Sequence, residues 1–182
     1  NKFGIPIDEA RALFATLGGR RALKLVAIHV HVGSQITTTE PLARAAARVA
    51  ELAEELKALG LPLEYLDLGG GLGISYDGRV VPTAEEYAAA LVDAVRPTGL
   101  PIVVEPGRAI AGAAGALVSR VIDIKPRTGD SDFAVLDAGM TELLRPALYG
   151  AYHAIEPLRP RTGRNKQYEL VGPVCESSDI VG

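Results

Sequence analysis

Residues 64–73 read Glu64-Tyr65-Leu66-Asp67-Leu68-Gly69-Gly70-Gly71-Leu72-Gly73, a short apolar strand that runs without a break into glycines. Such a run predicts a strand whose end is a tight loop with bare backbone. Upstream, Leu42, Ala45, Ala46, Val49, Ala53, Leu56 and Leu59 recur at helical spacing, with Thr39 as expected N-cap, Pro41 in the first turn and Gly60 as the stop. Downstream, Thr83 with Glu86 three positions on is a capping box, and it opens a helix that should end near Pro97. The alternation continues on both sides. Residues 23–32 and 102–105 read as further strands, and residues 7–17 as a helix with Asp8 as N-cap and Gly18-Gly19 as its stop. Strand starts near 25, 64 and 102 recur every ~39 residues, the signature of β-α units with parallel strands.

From about residue 115 the pattern changes. Residues 117–125, 133–137 and 168–171 are strand-like, with turn residues at Arg127-Thr128-Gly129-Asp130, which reads as antiparallel β structure. Three β-α units cannot close a barrel, because an eight-stranded one needs about 250 residues. The sequence also begins at Asn1 and stops at Gly182, just after the apolar pair Ile180-Val181. The expected architecture is therefore α/β: the last three β-α units of a TIM-type barrel over residues 1–114, then part of an antiparallel β domain over 115–182. The whole is expected to be a fragment of a longer chain.

Composition narrows the partners. With 48% hydrophobic and 23% charged residues the sequence is that of a globular protein. Nineteen basic against twenty-two acidic residues give a net charge of −3, which offers no electrostatic case for nucleic acid or anionic membrane. The longest uncharged apolar run, residues 109–118, is too short to span a bilayer and contains Gly112 and Gly115. A single cysteine, Cys175, excludes a disulfide within the chain, and no basic-then-apolar leader opens the sequence; cytoplasm is the expected compartment.

In a parallel α/β array the ligand lies where strands end. The first strand ends in His29-Val30-His31-Val32-Gly33-Ser34-Gln35, and period-2 alternation puts His31 nearer the mouth and His29 deeper on the same face. A metal pair would need a third ligand, and the only other histidine, His153, is far along the chain; no metal is expected. His31 reads either as a polar histidine of the barrel core or as a ring that stacks on a flat ligand. The second strand ends in Gly69-Gly70-Gly71-Leu72-Gly73, which completes neither a dinucleotide fingerprint nor a Walker loop, and is either a phosphate nest or a tight turn. The third ends in Glu105-Pro106-Gly107-Arg108, either an ion pair fixing the turn or an acid and a guanidinium facing a ligand. Together, histidine, glycine nest, acid and arginine favour a phosphorylated ring.

Asn1-Lys2-Phe3-Gly4-Ile5, His31-Val32-Gly33-Ser34-Gln35, Asp67-Leu68-Gly69-Gly70-Gly71, Glu105-Pro106-Gly107-Arg108 and Cys175-Glu176, in that order, resemble the barrel-type, fold type III pyridoxal-phosphate decarboxylases. Asp137-Ala138-Gly139-Met140, with Leu144-Arg145-Pro146 and Tyr149, resembles the family's diaminopimelate branch more than its ornithine branch. The resemblance implies pyridoxal 5′-phosphate as cofactor and decarboxylation of meso-2,6-diaminopimelate to L-lysine. It implies that His31 stacks on the pyridine ring and that Glu105 pairs with its nitrogen. Ser34 with the Gly70 and Gly71 amides would hold the phosphate, with Gly107 and Arg108 beside it. Arg108, Arg145, Tyr149 and Glu176 would grip the distal end of the amino-acid substrate. Cys175 would donate the proton that replaces carbon dioxide, acting from the neighbouring subunit of a homodimer with shared active sites.

The family's cofactor-bonding lysine, in a Tyr-Ala-x-Lys type motif, has no counterpart here, and Lys24 stands at the start of its strand, the wrong end. The isolated fragment is therefore expected to be inactive. Alternatives are a decarboxylase of ornithine, arginine, D-lysine or carboxynorspermidine, and a noncatalytic pyridoxal-phosphate-binding barrel. A phosphosugar barrel enzyme is a further one, but it has no need of Cys175-Glu176.

Overall fold

The computed structural model describes residues 2–17, 20–129, 131–159 and 166–182. Asn1 of the first motif, the Gly18-Gly19 helix stop and Asp130 of the expected turn lie outside the described residues. The chain divides into two compact units: residues 1–74 with 80–115, and residues 75–79 with 116–182.

The first unit contains helix α1 (Ile7–Leu17), strand β1 (Ala27–His29), helix α2 (Glu40–Ala58), β2 (Tyr65–Asp67), α3 (Ala84–Val95), β3 (Ile102–Val103) and the short α4 (Gly107–Ala111). The strands lie parallel in the order β1-β2-β3, with His29 opposite Asp67 and Asp67 opposite Val103. This is the β-α repeat expected from the spacing. One sheet face carries Ile28 and Leu66 into a core with Leu42, Val49, Ala53 and Leu56 of α2 and Leu91 of α3. Alternation then sends His29 and Asp67 to the other face.

Helix ends follow local chemistry. Thr83 is extended, at φ −72° and ψ 167°; its hydroxyl accepts from the Glu86 amide while the Glu86 carboxylate accepts from the Thr83 amide. Thr39 precedes α2 as expected but is itself helical, at φ −79° and ψ −23°, and its side chain caps nothing. An N-cap hydroxyl reaches the second or third amide only from an extended backbone. Asp8 is not the cap of α1: the helix opens at Ile7, with the Pro6 carbonyl accepting from Glu9 and Ala10. At the other end of α2, Gly60 at φ +79° donates to Lys57 and Leu61 donates to Leu56, a Schellman closure.

The second unit holds β4 (Val121–Lys125), β5 (Asp132–Leu136), helix α5 (Leu144–Tyr149) and β6 (Tyr168–Val171), in the sheet order β4-β5-β6. The expected antiparallel β structure is found in one of the two strand pairs. β4 and β5 are antiparallel, but β5 and β6 run parallel. The cause is the connection: a short turn joins β4 to β5, whereas the chain between β5 and β6 carries α5 and is long enough for a crossover. Among the described residues no helix is long and apolar enough to cross a membrane.

Candidate active site

Because β1, β2 and β3 are parallel, they release the chain at one edge, and the residues there are those that end the strands. β1 stops at His29, the last residue paired with β2, and the next amide, that of Val30, still donates to the Asp67 carbonyl. His29 is thus at the edge and not deep below it. Its Nε2 lies 3.8 Å from Oε2 of Glu105, and these two side chains are 54% and 53% exposed. Donor atoms of His29, Asp67 and Glu105 all lie within 4.8 Å of one another, a set of one imidazole and two carboxylates. It differs from the His29, His31 and His153 combination weighed from sequence: carboxylates, not other histidines, surround His29.

The glycine loop lies between the other two strand ends. A Cβ on Gly70 would sit 2.1 Å from the Glu105 carbonyl oxygen, one on Gly69 2.3 Å from the Val30 carbonyl oxygen, and one on Gly71 2.7 Å from that of Gly33. Gly69 and Gly71 also need positive φ, +64° and +108°. These glycines therefore let three strand-end backbones pack edge to edge. The Gly70 amide donates to Nδ1 of His31 at 3.2 Å. This bond fixes the imidazole against the loop, and with Nδ1 accepting, the neutral ring keeps its proton on Nε2. The Gly69 amide turns back to Asp67 Oδ1 at 2.9 Å. Below the loop, Tyr87 of α3 is buried with its hydroxyl 3.5 Å from the Gly69 carbonyl oxygen; burial, with the nearby Asp67 charge second, raises its pKa.

After β3 the chain makes an inverse γ-turn. Pro106 sits at φ −78° and ψ 57°, and Gly107 donates to the Glu105 carbonyl at 2.7 Å. A Cβ on Gly107 would meet nothing within 4 Å. Arg108 then donates from Nη1 to Oε1 of Gln35 at 3.1 Å. Gln35, a rare side-chain-bearing residue at positive φ (58°), also donates from Nε2 to the Ile74 carbonyl and accepts from the Ile74 amide. Ser34, beside it, is exposed. At the opposite ends of the strands Lys24 meets Glu64, away from Glu105.

In the second unit Arg145 and Tyr149 share α5. The Arg145 guanidinium contacts Nε2 of His153 at 2.9 Å and lies 5.1 Å from the centre of the Tyr76 ring, which meets the His153 ring edge-on. Tyr149 is 71% exposed. Cys175 and Glu176 occupy the exposed loop after β6. The Glu176 carboxylate accepts from the Ser178 amide and from the Ser177 and Ser178 hydroxyls, and these bonds, the Ser178 amide first, hold its pKa below the ordinary range.

Sequence reading gave no role to Asp67, Gln35 or Tyr76, although the first two stand inside quoted motifs. The signal for Asp67 was its place directly before the glycine run, where a strand ends; its register opposite His29 appears only in the ladder. Gln35 offered none, because a glutamine at positive φ has no mark in sequence.

Residues 1–112 match the family model described as pyridoxal-dependent decarboxylase, pyridoxal binding domain. A diaminopimelate decarboxylase of Vibrio cholerae is 45% identical over all of this chain and 44% of its own length. The structure of diaminopimelate decarboxylase from Helicobacter pylori complexed with L-lysine superposes with a TM-score of 0.92 at 39% identity, covering 99% of this chain and 44% of that one. That of the enzyme from M. jannaschii in co-complex with L-lysine gives 0.94 at 32% identity, over 100% of this chain and 43% of that one. The chain thus spans about 44% of the length of these relatives.

Proposed function

Because the chain belongs to the pyridoxal-dependent decarboxylase family, we propose that it forms part of a cytoplasmic, homodimeric enzyme that uses pyridoxal 5′-phosphate to decarboxylate meso-2,6-diaminopimelate to L-lysine. The observation that carries the cofactor reading is the position of Gly70, whose amide bonds His31 while its Cα packs on the Glu105 backbone. An oriented imidazole, a close-packed glycine loop and an exposed carboxylate are thereby neighbours. The donor set fits a flat, phosphorylated, nitrogen-bearing ring.

His31 would stack on that ring, with its tilt set by the Gly70 amide. Glu105 would hold a proton at the ring nitrogen, with His29 Nε2 3.8 Å from its carboxylate. Ser34, Gly71 and Arg108 would receive the phosphate; the Gly70 and Gly107 amides, engaged by His31 and by the Glu105 carbonyl, would contribute mainly by letting the backbone come close. Bound there, the cofactor supplies an electron sink for the pair left when the carbon–carboxylate bond breaks. Cys175 of the neighbouring subunit would deliver a proton to that carbon. Arg108, Arg145 and Tyr149 would receive the distal carboxylate and Glu176 the ammonium, a role suited to a carboxylate kept ionised by its own loop. The relatives reported above, named as diaminopimelate decarboxylases, support the substrate reading.

The test is substrate discrimination in the full-length protein. Removing Arg145 should strand a distal carboxylate, costing about 2–4 kcal/mol of transition-state binding. On meso-diaminopimelate Arg145→Ala should therefore lose about 30- to 1000-fold in kcat/KM, and far less on lysine or ornithine, which lack that carboxylate. Equal losses on all three would make Arg145 a scaffold residue and leave only an unspecified basic amino acid as substrate.

A further inference from the structure

The exposed Cys175–Glu176 loop is anchored from below by a residue that none of the motifs includes. Asp179 is only 3% exposed, and its carboxylate receives two backbone amides from different segments. Met140 donates to Oδ1 at 2.6 Å and Val174 to Oδ2 at 2.8 Å. The backbone closes the same loop, with Gly172 donating to the Asp179 carbonyl at 2.9 Å and Asp179 donating to that of Glu176 at 3.0 Å. Room for the carboxylate exists only because two neighbours have no side chain. A Cβ on Gly172 would fall 2.2 Å from Oδ2, and one on Gly139 2.5 Å from Oδ1. The glycines of Asp137-Ala138-Gly139-Met140 and of Gly172-Pro173-Val174-Cys175-Glu176 thus serve one buried acid.

We propose that Asp179 is a positioning residue that fixes the Cys175–Glu176 loop by tying Val174 to Met140 through a carboxylate seated between Gly139 and Gly172. It rests on the proposed roles of Cys175 and Glu176. A buried carboxylate with two amide donors is held in one place, since neither donor can be given up without leaving a buried group unpaired. Val174 is adjacent to Cys175, so freedom gained at its amide passes directly to the thiol. Positioning of this kind acts on turnover through Cys175 and on substrate binding through Glu176, and it leaves cofactor binding by the strand-end residues unchanged.

The test uses the full-length protein and its Asp179→Asn variant, an isosteric change. The variant amide can accept from only one of the two backbone amides, since its other arm is itself a donor. In the wild type, the Met140 and Val174 amides should exchange hydrogen about 100-fold more slowly than unprotected ones. In the variant, one should lose at least about tenfold in protection, kcat should fall about 10- to 100-fold and KM should rise, while cofactor absorbance on titration changes less than about threefold. Fast exchange of both amides in the wild type overturns the proposal even if the variant does not fold. A loosened loop with unchanged kcat overturns it too. Exchange reads the loop whether or not carbon dioxide is released, so failure of the staple and failure of the decarboxylase reading are separate results.

Discussion

An acid that keeps a ring nitrogen protonated acts through its charge, so an amide of the same shape separates electronics from packing. Glu105 suits that experiment because its side chain is half exposed while its backbone is fixed: the amide donates to Gly69 and the carbonyl lies against Gly70. Glu105→Gln in the full-length protein should lower kcat by about 10²- to 10³-fold and change cofactor affinity by less than about tenfold. Cofactor titration and carbon dioxide release measure the two separately. Equal losses would make Glu105 a structural acid bridging toward His29. At this scale the sequence told most where residue type limits the chemistry: an acid and an arginine around Pro106-Gly107, a histidine before Gly33-Ser34. It told least about Gln35, whose importance lies in a positive φ and in three hydrogen bonds that only the folded loops bring together.

Elements were legible where their causes are local. The helix from Ala84 is fixed by Thr83, Glu86 and its own apolar spacing, all within one segment. Strand lengths were not, because a ladder needs a partner: residues 23–32 have strand composition, yet only Ala27–His29 pairs with β2. Likewise nothing local says that β6 joins β5 in parallel. Element packing also yields a pH dependence. Tyr87 of α3 lies buried under the glycine loop, and its pKa is raised above the ordinary 10.0. A group whose folded pKa exceeds its unfolded one contributes stability in full below the unfolded value and loses it as pH rises through the folded value. The full-length protein should thus lose thermal stability as pH climbs past about 10, and Tyr87→Phe should blunt that alkaline decline. At neutral pH the substitution should cost less than about 1 kcal/mol, because the hydroxyl's contact with Gly69 is long, at 3.5 Å. A decline identical in both proteins would show that other groups set it.

At the scale of the whole molecule, the residues proposed for the cofactor and the cysteine proposed as proton donor belong to different compact units of the chain. His31 and Glu105 stand at the strand ends of the first, and Cys175 in a loop of the second. If Cys175 serves the site of the neighbouring subunit, a two-fold dimer has two sites, each drawing its strand-end residues from one subunit and its thiol from the other. Two full-length variants test this, Glu105→Gln and Cys175→Ala, each expected to be nearly inactive as a pure dimer. When they are mixed and allowed to exchange subunits, about half of the dimers are mixed, and each of these has one doubly altered site and one site with both residues intact. Recovered activity should approach about a quarter of the wild-type value per site, and should appear only as fast as subunits exchange. Sites built within single subunits predict something different, because every site in the mixture would then carry one of the two substitutions. Recovery at background, with subunit exchange verified by native mass spectrometry, would assign Cys175 to its own subunit and remove the shared-site reading.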